Sequence, residues 1–430
     1  MMTKIEPIDN EAVVIYNKGC LALQNQKYDK AEILFRKSLR IAETTDAWLN
    51  LGTTYKALDK DKLSIEAFTK ATSDKIYCMD TSFSIKALAY NNLGLMAYVR
   101  GEDALAIEYY DKGIAEWNQK VTPANAPKDK NYKTALPEFY DCLWNKATCI
   151  LRSVCSGDYE KWAEGWNLYE NRFLKSSLVR VHPVFKSIAD RVWLGQRDCR
   201  VVVAQEQGIG DNIMFARFIP QLEKQYNVKI DLQVDKSLGD LLNTNGISCP
   251  VEIDVRNYDY ILPLGSVCRY VEYIDSAPYL DALPVEIPVL PKKLNIGLVW
   301  SGSSSHTNDR HRSCPVGYFK FLSQIGNVFS LNPAAKNIPA WVNKLDLSNS
   351  WINTAGILKS LDFVVTVDTS VAHLAGAMGI PTYVLQPRKE TDFRWGLNNK
   401  ENLWYSSVTV IQNPNDWEKC IENLKKEMYV

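Results

Sequence analysis

The chain has 430 residues, with 50 Lys and Arg against 50 Asp and Glu for a formal net charge of +0, and is 46% hydrophobic and 11% aromatic. That length predicts two or three domains, and the apolar content excludes a disordered chain. The charge balance excludes an overall attraction to nucleic acid or an anionic membrane and leaves only local basic patches.

The ten cysteines form no CxxC pair and no Cys/His run at zinc-ligand spacing, so buried reduced thiols are expected, in keeping with a cytoplasmic protein. The opening MMTKIEPIDNEAVV lacks a basic segment followed by an apolar stretch, so no secretory signal is expected. No apolar run approaches the ~20 residues that a membrane helix needs.

From the N-terminus, Gly19, Gly52 and Gly94 are each followed at fixed offsets by a small residue (Ala31, Ser64, Ala106), an aromatic one (Phe35, Phe68, Tyr110) and another small one (Ser38, Ala71, Gly113). Small residues let two antiparallel helices approach, and the aromatic fills the space where the next hairpin stacks. With AWLNLGTTY at residues 47–55 and a period near 34, the pattern resembles the tetratricopeptide repeat. SDKIYCMDTS lengthens the second copy, and KVTPANAPKDKNYKTALPEF reads as a loop. A degenerate fourth hairpin follows, with WNKATCI and YEKWAEGWNLYENRF as its helices. The expected domain spans residues 1–173, and 174–198 is a linker. Such arrays present a surface to another macromolecule; the alternative is a structural appendage.

From Cys199 the texture changes to short apolar runs between helical patterns. RVVVA, VKIDLQV and YDYILPL read as strands of one half, residues 199–290; LNIGLVW, NVFSLN, DFVVTVD and PTYVLQ read as strands of a second, residues 291–430. This alternation predicts parallel sheets with crossover helices and a ligand cleft at the carboxyl ends of the strands. DALPVEIPVLPKK reads as the connection between halves, and DWEKCIENLKKEMY as a terminal amphipathic helix. Part of RVHPVFKSIADRVWLGQ is expected to complete the short first half.

Three turns carry the chemistry. In AQEQGIGDNIMFARF, Gly208 and Gly210 let the backbone turn tightly before a helix, beside Glu206 and Asp211. From the sequence alone Asp211 reads equally as a proton acceptor and as a helix cap or N-terminal charge partner. Glu206 is a second candidate base or a carboxylate bonding the glycine loop. Arg217 reads as solvated or at the core rim. In WSGSSSHTNDRHRSCP, Ser301 and Gly302 start a loop followed by Arg310 and Arg312, suited to phosphate oxygens, with Arg310 alternatively pairing Asp309. In DFVVTVDTSVAHLAGAMGIP a strand ends at Asp368, and Thr369 or Ser370 caps a small-residue helix whose N-terminus is a seat for a diphosphate. His373 on that helix is a structural histidine or a ribose or phosphate contact. FRWG and Trp404 read as packing.

These blocks, together with EGWNLYENRF and DFRWGLNNKENLWYSS, resemble tetratricopeptide proteins that end in a heptosyltransferase-like glycosyltransferase domain. The resemblance implies an α plus α/β chain: a helical repeat array, then a GT-B pair of Rossmann-like halves, the first meeting the acceptor and the second the nucleotide sugar. It implies inversion with Asp211 as base. Donor contacts fall on Ser301, Gly302, Arg310, Arg312, Asp368, Thr369, Ser370 and His373, with no metal and no cofactor beyond the nucleotide-sugar substrate. Asn212, Met214 and Asn353 depart from the family pattern and bear on substrate choice. Two other readings stay open: a repeat scaffold with a degenerate nucleotide-binding domain, and a phage-type transferase acting on nucleic-acid bases, against which the neutral charge counts.

Overall fold

The structure is a computed structural model that describes residues 10–79, 84–120, 137–174, 191–288, 290, 294–302, 309–332, 337–348, 350–387, 391–396, 402–413 and 416–428. It divides into two compact units, Met1–Ile150 with Leu168–Leu178, and Leu151–Asn167 with Val179–Val430.

The first unit is a series of antiparallel helical hairpins: α1 (Asn10–Gln24) with α2 (Tyr28–Ile41), α3 (Thr45–Ala57) with α4 (Asp61–Ala71), and α5 (Ile85–Val99) with α6 (Asp103–Lys120). The glycine and aromatic positions found in the sequence face each other inside each hairpin. A Cβ at Gly19, Gly52 or Gly94 would lie 2.7, 2.6 or 2.5 Å from the ring of Phe35, Phe68 or Tyr110, all three rings fully buried. The small serines tie the helices as well as spacing them: Ser64 Oγ donates to Gly52 O at 2.9 Å and Ser38 Oγ to Ala12 O at 2.9 Å. Hydroxyls of Thr44 and Ser84 cap α3 and α5, accepting from Ala47 and Ala87 N–H groups at 3.3 Å. The insertion after α4 folds back on α3, where Thr45 N–H donates to Tyr77 O and Met79 N–H to Asp46 Oδ2. The expected loop from Lys120 to Phe139 falls largely outside the described residues. Where the fourth hairpin was expected lie α7 (Pro137–Ser153), α8 (Tyr159–Tyr169) and a 3₁₀ turn at Glu170–Phe173, and the boundary between the units runs through this stretch.

In the second unit the first sheet is parallel, order β2-β1-β3, with β1 at Arg200–Ala204, β2 at Lys229–Gln233 and β3 at Tyr260–Pro263. Its helices are α9 (Ile209–Ala216), α10 (Ile219–Tyr226) and α11 (Lys236–Thr244). The segment before β1 extends this half as expected: Val192 bridges Ile261, and the buried Trp193 ring packs on Tyr226 and Tyr270 at 4.9 and 4.6 Å. The connecting segment is pinned rather than free, with Val285 N–H donating to Gly356 O at 2.9 Å.

The second sheet is six-stranded and parallel, order β6-β5-β4-β7-β8-β9. The strands are β4 (Asn295–Val299), β5 (Asn327–Ser330), β6 (Val342–Lys344), β7 (Phe363–Val367), β8 (Thr382–Pro387) and β9 (Val408–Asn413). Counted within this half, that is the 3-2-1-4-5-6 order of a doubly wound dinucleotide-type fold. Strands β6 and β9 were not expected. Its helices are α12 (Asp309–Arg312), α13 (Leu322–Ile325), α14 (Trp351–Lys359), α15 (Ser370–Ala377) and the terminal α16 (Trp417–Met428). The amphipathic face of α16 buries Cys420, Ile421 and Leu424 against Leu385 and Ile411. The tryptophans of α8 belong to this unit: Trp162 Nε1 donates to Val271 O at 2.9 Å, and Trp166 meets Phe215, Phe393 and Trp404. The expected packing role of Phe393 and Trp404 is what these contacts describe. Among the described residues no helix is long and apolar enough to cross a membrane.

Because the Phe68 ring already occupies the space beside Gly52, Gly52→Val should lower the stability of the repeat transition by about 1–3 kcal/mol, and Phe68→Ala by about 3–5 kcal/mol. Urea denaturation of the full chain followed by far-ultraviolet circular dichroism measures both; unchanged midpoints would remove the packing argument.

Candidate active site

Both sheets reverse their strand order at their first strand, β1 in one half and β4 in the other, so connections leave on opposite sides and open a crevice at the carboxyl ends. The expected site residues sit at these openings.

After β1 the chain turns through Gln207, a non-glycine residue at φ +62°, a backbone strain of about 1–3 kcal/mol that the surroundings hold in place. Gly208 then starts α9, and its N–H donates to Asp211 Oδ2 at 2.9 Å. Asp211 therefore performs the capping role, with its other oxygen turned elsewhere. Glu206 is buried and accepts from Gln207 Nε2 at 3.5 Å. Gly210 makes the closest approach: a Cβ there would lie 2.6 Å from His373 Cδ2 and 3.4 Å from Ser370 Cα. The N-termini of α9 and α15 thus come together.

In the second half, Trp300, Ser301 and Gly302 follow β4. Asn332 holds this turn, accepting from Trp300 N–H at 2.9 Å and donating to Ser301 O at 2.7 Å. The Arg312 guanidinium lies over Gly302, where a Cβ would be 2.5 Å from Nη2. Its Nε donates to Asp309 Oδ1 at 3.3 Å, so Asp309, expected as a partner of Arg310, pairs with Arg312. Arg310 lies in α12, and its side chain is outside the described residues. After β7, Asp368 leads to Thr369 at the N-cap position of α15. Contrary to expectation Thr369 makes no capping bond; its hydroxyl meets Thr366 Oγ1 at 3.2 Å instead. The first N–H groups of α15 take no hydroxyl from Thr369.

The electrostatics of the site centre on a residue that reads in the sequence only as packing. Arg394 Nη1 donates to both oxygens of Asp392, at 2.8 and 2.9 Å, while Nη2 donates to Asp211 Oδ1 and, at 3.1 Å, to Gln207 Oε1. Burial pushes the Asp211 carboxyl upward, with Arg394 and the Gly208 N–H pulling it down. Asp392 is held below the ordinary carboxylate range by Arg394, which outweighs its burial. Asp368 is pushed up to about 6 by burial and by the Asp392 charge, against Trp395, Arg312 and Arg394. His373 is 5% exposed, stacks on Trp395 at 4.9 Å and meets the Tyr405 hydroxyl through Nδ1 at 3.0 Å. Burial, then Arg394, depress it to about 3, so it is a neutral imidazole. Arg217 takes the core-rim place, the second of its two expected ones: it donates to Asp275 O at 3.0 Å and to Trp404 O and lies over Tyr279 and Tyr405. Among the described residues no cluster of three His, Cys, Asp or Glu is placed to hold a metal ion.

A family model described as tetratricopeptide repeat matches residues 12–45 and 45–73. The first hairpins are tetratricopeptide repeats. The tetratricopeptide domain of Sgt2 from Aspergillus fumigatus is 24% identical, with TM-score 0.23, covering 27% of this chain and 72% of that one. Over the rest of the chain there is structural similarity to heptosyltransferases. E. coli heptosyltransferase WaaC with ADP is 13% identical, with TM-score 0.39, covering 54% of this chain and 99% of that one. The iron-containing dodecameric glycosyltransferase TibC of enterotoxigenic E. coli is 13% identical, with TM-score 0.38, covering 55% and 80%. Protein FlbA of Caulobacter vibrioides is 23% identical over 310 residues, 59% of this chain; the chain spans 50% of that protein's length.

A histidine buried neutral binds its proton far more weakly folded than unfolded, so acidification from its unfolded value near 6.5 toward 3 costs folding stability. His373→Gln should flatten that part of the stability curve. Denaturation midpoints of the two proteins between pH 4 and 7 measure it, and parallel curves would exclude the neutral imidazole.

Proposed function

We propose that the second unit is an inverting, metal-independent glycosyltransferase that moves a sugar from a nucleotide-sugar donor to an acceptor, with the tetratricopeptide repeats recruiting the acceptor or a protein partner. The observation that carries this reading is the meeting of two strand-to-helix turns, one bearing a buried carboxylate and the other a helix start that Thr369 does not cap, preceded by Asp368, on which Arg312 acts electrostatically.

In this mechanism Asp211 accepts the acceptor hydroxyl proton as the acceptor oxygen bonds to the anomeric carbon, and the bond from that carbon to the diphosphate oxygen breaks. The electron pair leaves on the diphosphate. Its charge is met by Arg312 and by the N–H groups at the start of α15, with Ser301, Gly302, Thr369 and Ser370 lining its seat. Asp368 would repel a phosphate and suits sugar or ribose hydroxyls, from which it accepts. Glu206 supports the turn, and His373 packs behind it.

One observation favours a second reading, a nucleotide-binding scaffold without turnover: both oxygens of Asp211 already accept hydrogen bonds.

The first experiment is thermal denaturation against ADP, UDP, GDP, CDP and dTDP without added metal, where a ligand at about 100 times its dissociation constant stabilises by about 2.7 kcal/mol. A response identifies the donor class; silence confirmed by calorimetry refutes the donor site. With the matching nucleotide sugar, Asp211→Asn should bind nearly as the parent does and lose transfer by about 100-fold to 10,000-fold. Full activity in that variant would end the base assignment. Arg312→Ala should weaken nucleotide binding by about tenfold or more, read by titration calorimetry.

A further inference from the structure

We propose that Arg394 is a positioning residue that ties the two halves of the site together: anchored on Asp392, it holds Asp211 as an oriented, negatively charged proton acceptor. The proposal rests on the reading of Asp211 as the general base.

The geometry is that of a fixed fork. Arginine presents its donors in one rigid plane, and here one nitrogen serves both Asp392 oxygens while the other reaches Asp211 and Gln207, 183 and 187 residues earlier in the chain. The guanidinium face covers the Phe393 ring at 4.4 Å, and the side chain is 10% exposed. Its backbone is equally fixed, because Arg394 N–H donates to Asp392 Oδ1 at 3.0 Å and Arg394 O accepts from Asn402 Nδ2 at 3.2 Å. The next residue, Trp395, is buried against His373. Asp392 and Arg394 belong to the half with the second sheet, Gln207 and Asp211 to the half with the first, so this one side chain sets where the base stands relative to the donor side.

The charges around Asp211 make the pairing necessary. From its own turn it faces the Gly208 N–H; from the segment after β8, Arg394 and Asp392; from α15, the neutral His373; nearby lie the Tyr405 hydroxyl and Arg217. Burial and Asp392 both favour a protonated Asp211, which could not accept a proton, and Arg394 opposes them. Each carboxylate oxygen has two lone pairs, so Oδ1 retains room for an acceptor hydroxyl while bonded to Arg394.

The test compares the pH dependence of kcat/KM in the full chain and in Arg394→Gln, which removes the charge and keeps a hydrogen-bonding side chain. Asp211 must be ionised to act, so removing Arg394 should move the acid limb to higher pH by roughly one unit. Arg394→Lys should return the limb toward the parent's position. An unmoved limb in folded Arg394→Gln overturns the proposal, because a merely structural residue changes the rate without moving the limb. If Arg394→Gln fails to fold, Arg394→Lys gives the complementary reading: with the charge kept and the fork lost, kcat/KM should fall while the acid limb stays near the parent's position, and an unchanged rate overturns the positioning role. A second readout needs no turnover: ¹³C titration of aspartate carboxyls, with the Asp211 resonance identified by its loss in Asp211→Asn. A higher midpoint in Arg394→Gln supports the pairing, and an equal midpoint overturns it. With no transfer detectable from any donor, the glycosyltransferase reading fails while this titration still decides the role of Arg394.

Discussion

The site depends on one close approach, the start of α9 against the start of α15, which exists because residue 210 has no side chain. Any Cβ there would meet the His373 ring, and the two helix starts would separate. The approach has an electrostatic cost: two helix N-termini, each with partial positive charge, point into one region already holding Arg312 and Arg394. A chain with formal net charge +0 has concentrated cationic groups where the strand order of each sheet opens a crevice. These cations are matched by carboxylates: Arg312 pairs with Asp309, and Arg394 with Asp392 and Asp211.

Among the described residues the cations of the site are Arg312, Arg394 and Arg217, and His373 is not one of them. Enclosed by Trp395, Gly210 and Tyr405, with Arg394 and Arg217 near, the imidazole is neutral throughout the physiological range. A second proton would have no water to stabilise it and two like charges to oppose it. The ring acts as a spacer of defined shape against which the glycine of α9 closes.

The parts of this arrangement that were legible in the sequence share a local signal. The repeat glycines and aromatics are separated by constant offsets, which marks the hairpins; the sequence reading put the aromatic where the next hairpin stacks, and the structure adds that Phe68 also lies on Gly52 of its own hairpin. The Gly208, Gly210 and Asp211 turn, and Arg312 with Gly302, lie within short blocks at strand ends. Strand β9 carried a signal that was missed, the β-branched run Val408 to Ile411, whereas β6, three residues with a single buried one, offers almost none. Arg394 was illegible for a different reason. Its partners lie 183 and 187 residues away, and between two aromatic residues in FRWG a guanidinium looks like part of a packed surface. Thr369 shows the opposite error: the residue type and position fit a cap, yet a neighbouring Thr366 competes for the same hydroxyl.

Three aspartates feel the charge of Arg394, and their surroundings divide the work among them. Asp392 is held ionised by two hydrogen bonds from one arginine nitrogen and serves as a fixed countercharge. Asp368 is pushed to about 6, with burial and the Asp392 charge outweighing its neighbouring arginines, so near neutrality it exchanges between accepting and donating hydrogen bonds. That suits sugar hydroxyls, which offer both. Asp211 is desolvated like Asp368 and tethered to a cation like Asp392: burial pushes its carboxyl up, and Arg394 and the Gly208 N–H pull it down. A carboxylate so placed is charged enough to attract a proton and desolvated enough to keep it while an acceptor oxygen turns into a nucleophile. The division follows from where one guanidinium points, with Nη1 toward Asp392 and Nη2 toward Asp211, while Asp368 meets Arg394 and Arg312 only through the field.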